Sequence, residues 1–296
     1  MDANLLKILL DGLFRGGSYS LMALGLTLLY GVARIVNMSH GSLFMLSVYL
    51  YYIFSTIILG LDPWLALMVT ILVMGVIGAI IHRLAVHPVL GDDVAILVVT
   101  ITIAVMIQAL VMMFFGSSQA INLKNPMDFG YFKFYGLEVS WTSVITFVLS
   151  LSLFALVTLF ISKTKIGKAM QALSQDREAA MLMGINTNRL YTFTMILSAI
   201  LASLAGFMYC VPTRSVVPGV WLSAITSAFA IVILGGLGSI KGSLIGSFVI
   251  GYSEIIVRNL HTEGMALMPL AALCVMITVL VIRPKGLFGK RVEMED

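Results

Sequence analysis

VAILVVTITIAVMIQALVMMFF, residues 94–115, carries no charged side chain. Wound as an α-helix it rises about 33 Å, enough to cross a hydrocarbon core of roughly 30 Å. The whole chain has the same character: 60% hydrophobic, 11% charged, mean hydropathy +1.05. A soluble domain carries about 25% charged residues to cover its surface. The composition therefore predicts an all-α integral membrane protein, a polytopic helical bundle whose partner is the lipid bilayer and not nucleic acid.

Segments of similar length and hydropathy recur on both sides of residues 94–115. They lie at about 8–30, 40–59, 64–82, 142–161, 190–211 and 265–282. Residues 222–257 form a broken pair, split at GGLGSIKG into 222–235 and 241–257. The rule gives about eight spans, the broken pair being two short spans or two half-helices. The N-terminal MDANLLKILLDGLF lacks a basic region followed by an apolar core and a small-residue cleavage site, so no removed signal peptide is expected. Cys210 and Cys274 sit in apolar runs and read as small buried hydrophobes.

Lys163, Lys165, Lys168, Arg177 and Arg189 cluster around one polar loop, and Arg283, Lys285, Lys290 and Arg291 crowd the C-terminal tail. Basic residues stay on the cytoplasmic side. The tail and the loop are therefore expected inside, as are Arg34 and Arg83. Met1 is then outside, as is the aromatic, glycine-rich stretch 116–141. Residues 1–296 read as one transmembrane domain with a cytoplasmic loop at about 162–189.

That loop holds QDREAAMLMGINTNRL, residues 175–190. Ser174 can cap a helix start, and Asp176 and Glu178 suit the positive end of its dipole. Ala179, Leu182 and Met183 make one apolar face at i, i+3, i+4 spacing. Gly184 suits a left-handed closing residue, and Asn186 or Thr187 can cap the next span. Such a helix either links two spans or docks a cytoplasmic partner.

Two further segments resemble each other. LYGVARIVNMSHGSL (29–43) and LGGLGSIKGSL (234–244) both run apolar residues into Gly, a polar turn and Gly-Ser-Leu. Glycine in a membrane helix serves close packing, yet interrupted helices in corresponding halves also build substrate sites in transporters. Free N–H groups at a half-helix start suit a carboxylate, and freed carbonyls suit an ammonium. Asn37, Ser39, His40, Gly41, Gly235, Gly236, Gly238, Ser239 and Gly242 are thus candidates for a translocation path. His40 is expected near the cytoplasmic end, in a packing or hinge role rather than a proton relay. Asp11 and Arg15, one turn apart, can pair near the outer interface.

The chain has no G-x-x-x-x-G-K-[ST] phosphate loop, no cluster with metal-ligand spacing and no Ser/His/Asp arrangement. No cofactor and no metal are expected.

Glu178, Ala179, Ala180 and Gly184 spell E-A-A-x-x-x-G. This resembles the loop that permease subunits of ATP-binding-cassette importers insert into their ATPase. The Ile-x-Leu-Pro of the general pattern is absent; the stretch reads TMIL. YSLMALGLTLLYGVARIVNMSHGSL (19–43), DREAAMLMGIN (176–186) and ILGGLGSIKGSLIG (233–246) resemble, in order, blocks of the branched-chain amino acid permeases of that class. The resemblance implies a prokaryotic inner-membrane permease subunit that is not itself an enzyme. It implies two cytoplasmic ATPase subunits, a second related permease and an external solute-binding protein. It also implies import of branched-chain amino acids, or of urea, amides or small organic acids as in relatives. The alternative, a secondary carrier driven by an ion gradient, calls for ionisable residues near the midplane. The spans nearly lack them, with Glu254 the main exception. A membrane enzyme would need convergent ionisable groups, which the sequence does not supply.

Overall fold

A computed structural model describes residues 3–57, 60–116, 120–260, 264–284 and 286–289. The helices are α1 (Ala3–Ala33), α2 (Ser39–Tyr52), α3 (Pro63–Ile81), α4 (Asp93–Phe115), α5 (Trp141–Lys163) and α6 (Lys165–Gln175). They continue as α7 (Arg177–Leu182), α8 (Thr187–Thr213), α9 (Val220–Gly235), α10 (Ile240–Leu260) and α11 (Gly264–Ile282). Wider helical turns extend α2 over Ile53–Ile57 and α3 over His82–Val86. A 3-10 turn at His87–Val89 and four short strands complete the described elements: β1 (Ile121–Asn122), β2 (Tyr131–Phe134), β3 (Leu137–Ser140) and β4 (Ser215–Val216). β1 pairs antiparallel with β4, and β2 with β3.

Seven described helices are long and apolar enough to cross a membrane: α1, α3 with its extension, α4, α5, α8, α10 and α11. α2 and α9 are shorter. The bundle is therefore a multi-pass membrane protein, as the composition predicts. Helix starts follow from local chemistry. The Asp62 carboxylate accepts from the Trp64 N–H, with Pro63 at the first helical position. Asp92 does the same for Val94 and Ala95 at the head of α4.

α1 is the central helix. Its apolar window is 83% buried, against 17% for α11, which leaves α11 on the lipid-facing rim. α1 packs along α8, α5 and α10, and Leu21 to Leu24 with Leu26 are sealed in the core. Gly16 and Gly251 let the α1 and α10 backbones approach closely.

The broken pair is two antiparallel helices. Gly235 lies against Gly242 at the turn, and Ser227 bonds Glu254 toward the other end. α9, with 16 residues, rises only about 24 Å, so it stops short of a full crossing. Its last carbonyls are not orphaned: the N–H groups of Leu287 and Phe288 donate to Leu234 and Gly235 oxygens at 2.8 and 3.0 Å.

The helices gather their ends on two sides. Val32, Arg34, Leu90, Asp93, Leu173 and Glu178 meet at one end of the bundle. At the other, Tyr51 donates to the Lys124 carbonyl, Lys124 Nζ to the Ser55 carbonyl, and Arg214 pairs with Asp128 at 2.6 Å. Residues 31–34, 90–93 and 173–178 thus share one side, and 120–142 the other, as the alternation of spans requires. Met1 and the basic Lys285, Lys290 and Arg291 of the tail lie outside the described residues. Of the two cysteines, Cys210 is buried, whereas Cys274 lies on the exposed flank of α11.

Candidate functional site

The loop at 162–189 is two short helices between α5 and α8. Thr164 caps α6 by accepting from Gly167 N–H at 3.1 Å. α7 is capped by Asp176, which accepts from Ala179 N–H at 3.0 Å. Ser174, expected in that role, instead closes α6 by donating to the Gln171 carbonyl at 2.7 Å. Asp176 takes the cap because α6 runs on to Gln175 and leaves Asp176 extended at φ −146°. Asn186 caps α8 through Arg189 N–H at 3.1 Å.

Gly184 ends α7 at φ +82°. Its N–H donates to Met181 oxygen at 3.0 Å, and the Ile185 N–H to Ala180 oxygen at 3.1 Å. This paired closure needs a left-handed residue, which glycine adopts without a Cβ penalty. Ala180 is the buried contact of α7. The apolar face of Ala179, Leu182 and Met183 points outward: Leu182 is 89% and Met183 84% exposed, with Met181 beside them at 45%. Arg177 lies over the Tyr191 ring at 5.8 Å and braces α7 against α8. The loop thus presents an apolar tip on a capped, braced base.

The first interrupted segment breaks without glycine at the break. Gly31 belongs to α1 and Gly41 to α2; between them Arg34 takes φ +53° and the chain runs irregularly to Met38. α2 therefore begins inside the bundle. The His40 ring packs on Gly25, and Nε2 donates to the Met22 carbonyl at 3.0 Å. Those residues precede the end of α1 by about 12–16 Å. His40 thus lies deeper than the expected position near the end of the span, because the chain has already turned back when it reaches it. Ser198 donates to Nδ1 at 3.1 Å, so both ring nitrogens are engaged. Asn37 is fully buried: its Oδ1 accepts from Ser39 N–H and Oγ at 3.0 and 2.6 Å. Gly41 lies against the Trp221 carbonyl and Ile225 of α9.

The second segment is a tight turn, with Gly236 at φ +99° and Gly238 at φ +80°. Ser239 caps α10 by accepting from Gly242 N–H at 3.1 Å. The structure brings the two segments together. A Cβ on Gly31 would stand 3.4 Å from Gly238 Cα, and the Thr27 and Ser243 hydroxyls bond one turn deeper.

Toward the opposite end lies a buried charged cluster that sequence spacing assigns differently. Arg15 bonds Glu254 across α1 and α10 at 2.8 Å rather than Asp11, which instead faces Arg258 at 3.8 Å. Glu254, 1% exposed, also accepts from Tyr19 at 2.7 Å and Ser227 at 2.6 Å. The Arg15 guanidinium lies over the Tyr19 and Tyr209 rings at 5.1 and 4.9 Å. An ion pair at this depth needs such extra partners to offset its desolvation. Its signal in the sequence was Glu254 itself, an acid in an apolar span with Arg15 the base nearest the core of α1.

An apolar cavity of about 620 Å³ opens between α1, α4, α9 and α11. Ile35, Val36 and Met38 of the first segment and Leu237 of the second line it, facing Trp221 and Phe229. None of the nine path candidates lines this cavity: seven lie one or two positions along the chain from a wall residue, Gly41 lies three and Gly242 five. Trp221 and Phe229 were missed because in sequence they look like any other apolar span residue.

Residues 8–284 match the family described as branched-chain amino acid transport system / permease component. The chain is 30% identical to the high-affinity branched-chain amino acid transport system permease protein BraD of Pseudomonas aeruginosa, covering 96% of each chain. It is 28% identical to the corresponding protein LivH of Escherichia coli K12, again over 96% of each. In fold it is similar to PsaBC from Streptococcus pneumoniae, solved with a Fab. The TM-score is 0.52 at 16% identity, covering 94% of this chain and 92% of that one. An apolar multi-pass bundle, interrupted helices and a match along nearly the whole sequence converge: the chain belongs to the branched-chain amino acid permease-component family, as a non-catalytic membrane subunit of an ATP-binding-cassette importer.

Proposed function

We propose that this permease carries a branched-chain or similarly apolar amino acid, or a like-sized organic solute, inward across the plasma membrane. Two cytoplasmic ATPase subunits drive it, a second related permease completes it, and an external solute-binding protein loads it. In this reading the α6–α7 side is cytoplasmic, the 120–142 side is external, the N-terminus is outside and the C-terminus inside.

The observation that carries the coupling role is the exposed tip Met181–Leu182–Met183, closed by left-handed Gly184. An apolar tip on a charged loop is stable in water only at a price in hydration, and burial in a partner removes it. Glu178, Ala179, Ala180 and Gly184 form the knob, and the ATPase supplies the cleft.

The centre of α1 is closed to any solute, since Leu21 to Leu24 are fully buried. The path then runs along the open face lined by α9 and the α1–α2 break. A zwitterion cannot travel along lipid, so a second permease must cover that face. The cavity wall suits an apolar side chain. Asn37, Ser39, His40, Gly41 and the Gly235–Gly242 turn lie just behind it and set how the wall moves.

A Leu182→Asp/Met183→Asp variant tests the reading. It should insert normally, retain less than a tenth of the copurifying ATPase and lose uptake of radiolabelled leucine. Normal ATPase retention and normal uptake would remove the proposed docking role. Competition of that uptake by isoleucine and valine, but not by lysine, tests the solute class.

A further inference from the structure

We propose that the β2–β3 hairpin is a membrane-interface anchor whose aromatic tip is embedded in the lipid headgroup layer. The hairpin stands directly before α5. Its register pairs Phe132 with Val139 and Phe134 with Leu137 on one face, and Tyr131 with Ser140 and Lys133 with Glu138 on the other. Residues directly opposite in an antiparallel pair share a face. The ribbon is therefore amphipathic, apolar on one side and carrying a charge pair on the other.

Its apolar face is most covered at the base, and Leu137 nearer the tip is half-buried. Val139 is buried, and Phe132 packs on Trp141 with ring centroids 4.7 Å apart. Phe134, toward the tip, stays 41% exposed. The turn adds Tyr135, 84% exposed, at φ +48° before Gly136 at φ +82°. Two left-handed residues make the turn that matches strand twist, and its first position favours Asn, Asp or Gly. A tyrosine held there against that preference puts an amphipathic ring at the outermost point of the hairpin.

The occupant follows from continuity with the lipid-facing surface. Trp141, which seats Phe132, is the first residue of α5. At 100° per residue, Val148 and Leu159 fall on the same face of that helix as Trp141. Both are more than half exposed on a membrane span, so they face lipid. The apolar side of the ribbon thus prolongs a lipid-contacting stripe past the end of its helix. That end is where Trp and Tyr concentrate in membrane proteins, apolar ring toward the chains and polar edge toward water. The anchor does not depend on which solute is moved; the functional reading fixes only which leaflet it enters.

The unmodified complex in phosphatidylcholine nanodiscs provides a test. Tyr135 is more exposed than Tyr131 on the isolated chain, 84% against 65%. A bilayer at the tip reverses that order, so hydroxyl-radical footprinting should oxidise Tyr131 several-fold faster than Tyr135. Oxidation of Tyr135 at least as fast as Tyr131 would overturn the anchor. Nitroxide labels at Lys133→Cys and Phe134→Cys, with Cys210 and Cys274 replaced by Ala, give a second measurement. The 134 label should be relaxed by oxygen and shielded from a water-soluble nickel chelate, and the 133 label the reverse. Equal nickel access at both sites overturns the proposal. So does shielding of 134 that appears only when the solute-binding protein is added, which would make the tip a protein-docking element.

Discussion

The two reversals at 29–43 and 234–244 are near-copies in sequence and opposites in structure. The later one is a glycine turn between antiparallel helices, with Gly235 and Gly242 in backbone contact. The earlier one turns at Arg34, in a left-handed conformation that a side chain adopts at a strain of about 1–2 kcal/mol. It then returns into the bundle before α2 begins. The glycines of the first segment serve contact: Gly31 faces Gly238, and Gly41 faces α9. The same residue pattern marks a change of chain direction in one place and close packing in the other. The difference lies in what stands beside each glycine.

The hairpin of α9 and α10 is fixed at both ends, and its far end is the more costly to disturb. Glu254→Ala leaves Arg15 buried without its partner, with an expected loss of about 3–5 kcal/mol. The readout is the unfolding midpoint of the purified protein, and Arg15→Met/Glu254→Met should recover most of the loss. A single variant as stable as the parent would mean the pair does not hold the hairpin.

At the glycine end, Gly242→Ala places a Cβ into the Gly235 backbone, which has no flexible side chain to move aside. The expected loss is about 3 kcal/mol, the upper range for overpacking. Tolerance of this variant in the same unfolding assay would show that α9 and α10 can separate, and the turn would become a hinge.

Cysteine substitution compares the two segments directly. Ser39 is fully buried and Ser239 partly exposed. With Cys210 and Cys274 replaced, Ser239→Cys should react with a small water-soluble thiol reagent many times faster than Ser39→Cys. If the α1–α2 break lines the path, trapping ATP hydrolysis should narrow that gap. An unchanged gap in every trapped state would leave the first segment a packing element.

Gly31→Ala should have the smallest effect. Its Cβ would meet Gly238 at an ordinary 3.4 Å, so the stability change stays within about 1 kcal/mol. A large loss there would mean that the two segments press together more tightly than the Gly31–Gly238 spacing predicts.

The membrane nature of the chain, most spans, the polar loop and its left-handed Gly184 were legible in the residues. Each rests on a signal local to its own segment: hydropathy over about twenty residues, or the glycine that closes one helix. Asn186 as a cap was legible for the same reason. Ser174 was not, because the choice between two capping residues two positions apart depends on where the preceding helix stops. That boundary is set by α6 packing Met170 and Leu173 inward.

An apolar helical bundle with a charged, glycine-closed loop follows from the residues alone, because lipid and backbone geometry act on each segment separately. It took the packing of α10 on α1 to pair Arg15 with Glu254, 239 positions away, and not with Asp11 one turn away. Helix packing likewise placed His40 beside Met22 and Ser198, and put Trp221 and Phe229 on a cavity wall. Pairing, depth and exposure are relations between helices. They are fixed by which backbones can approach one another, and a pattern within one segment carries no record of its neighbours.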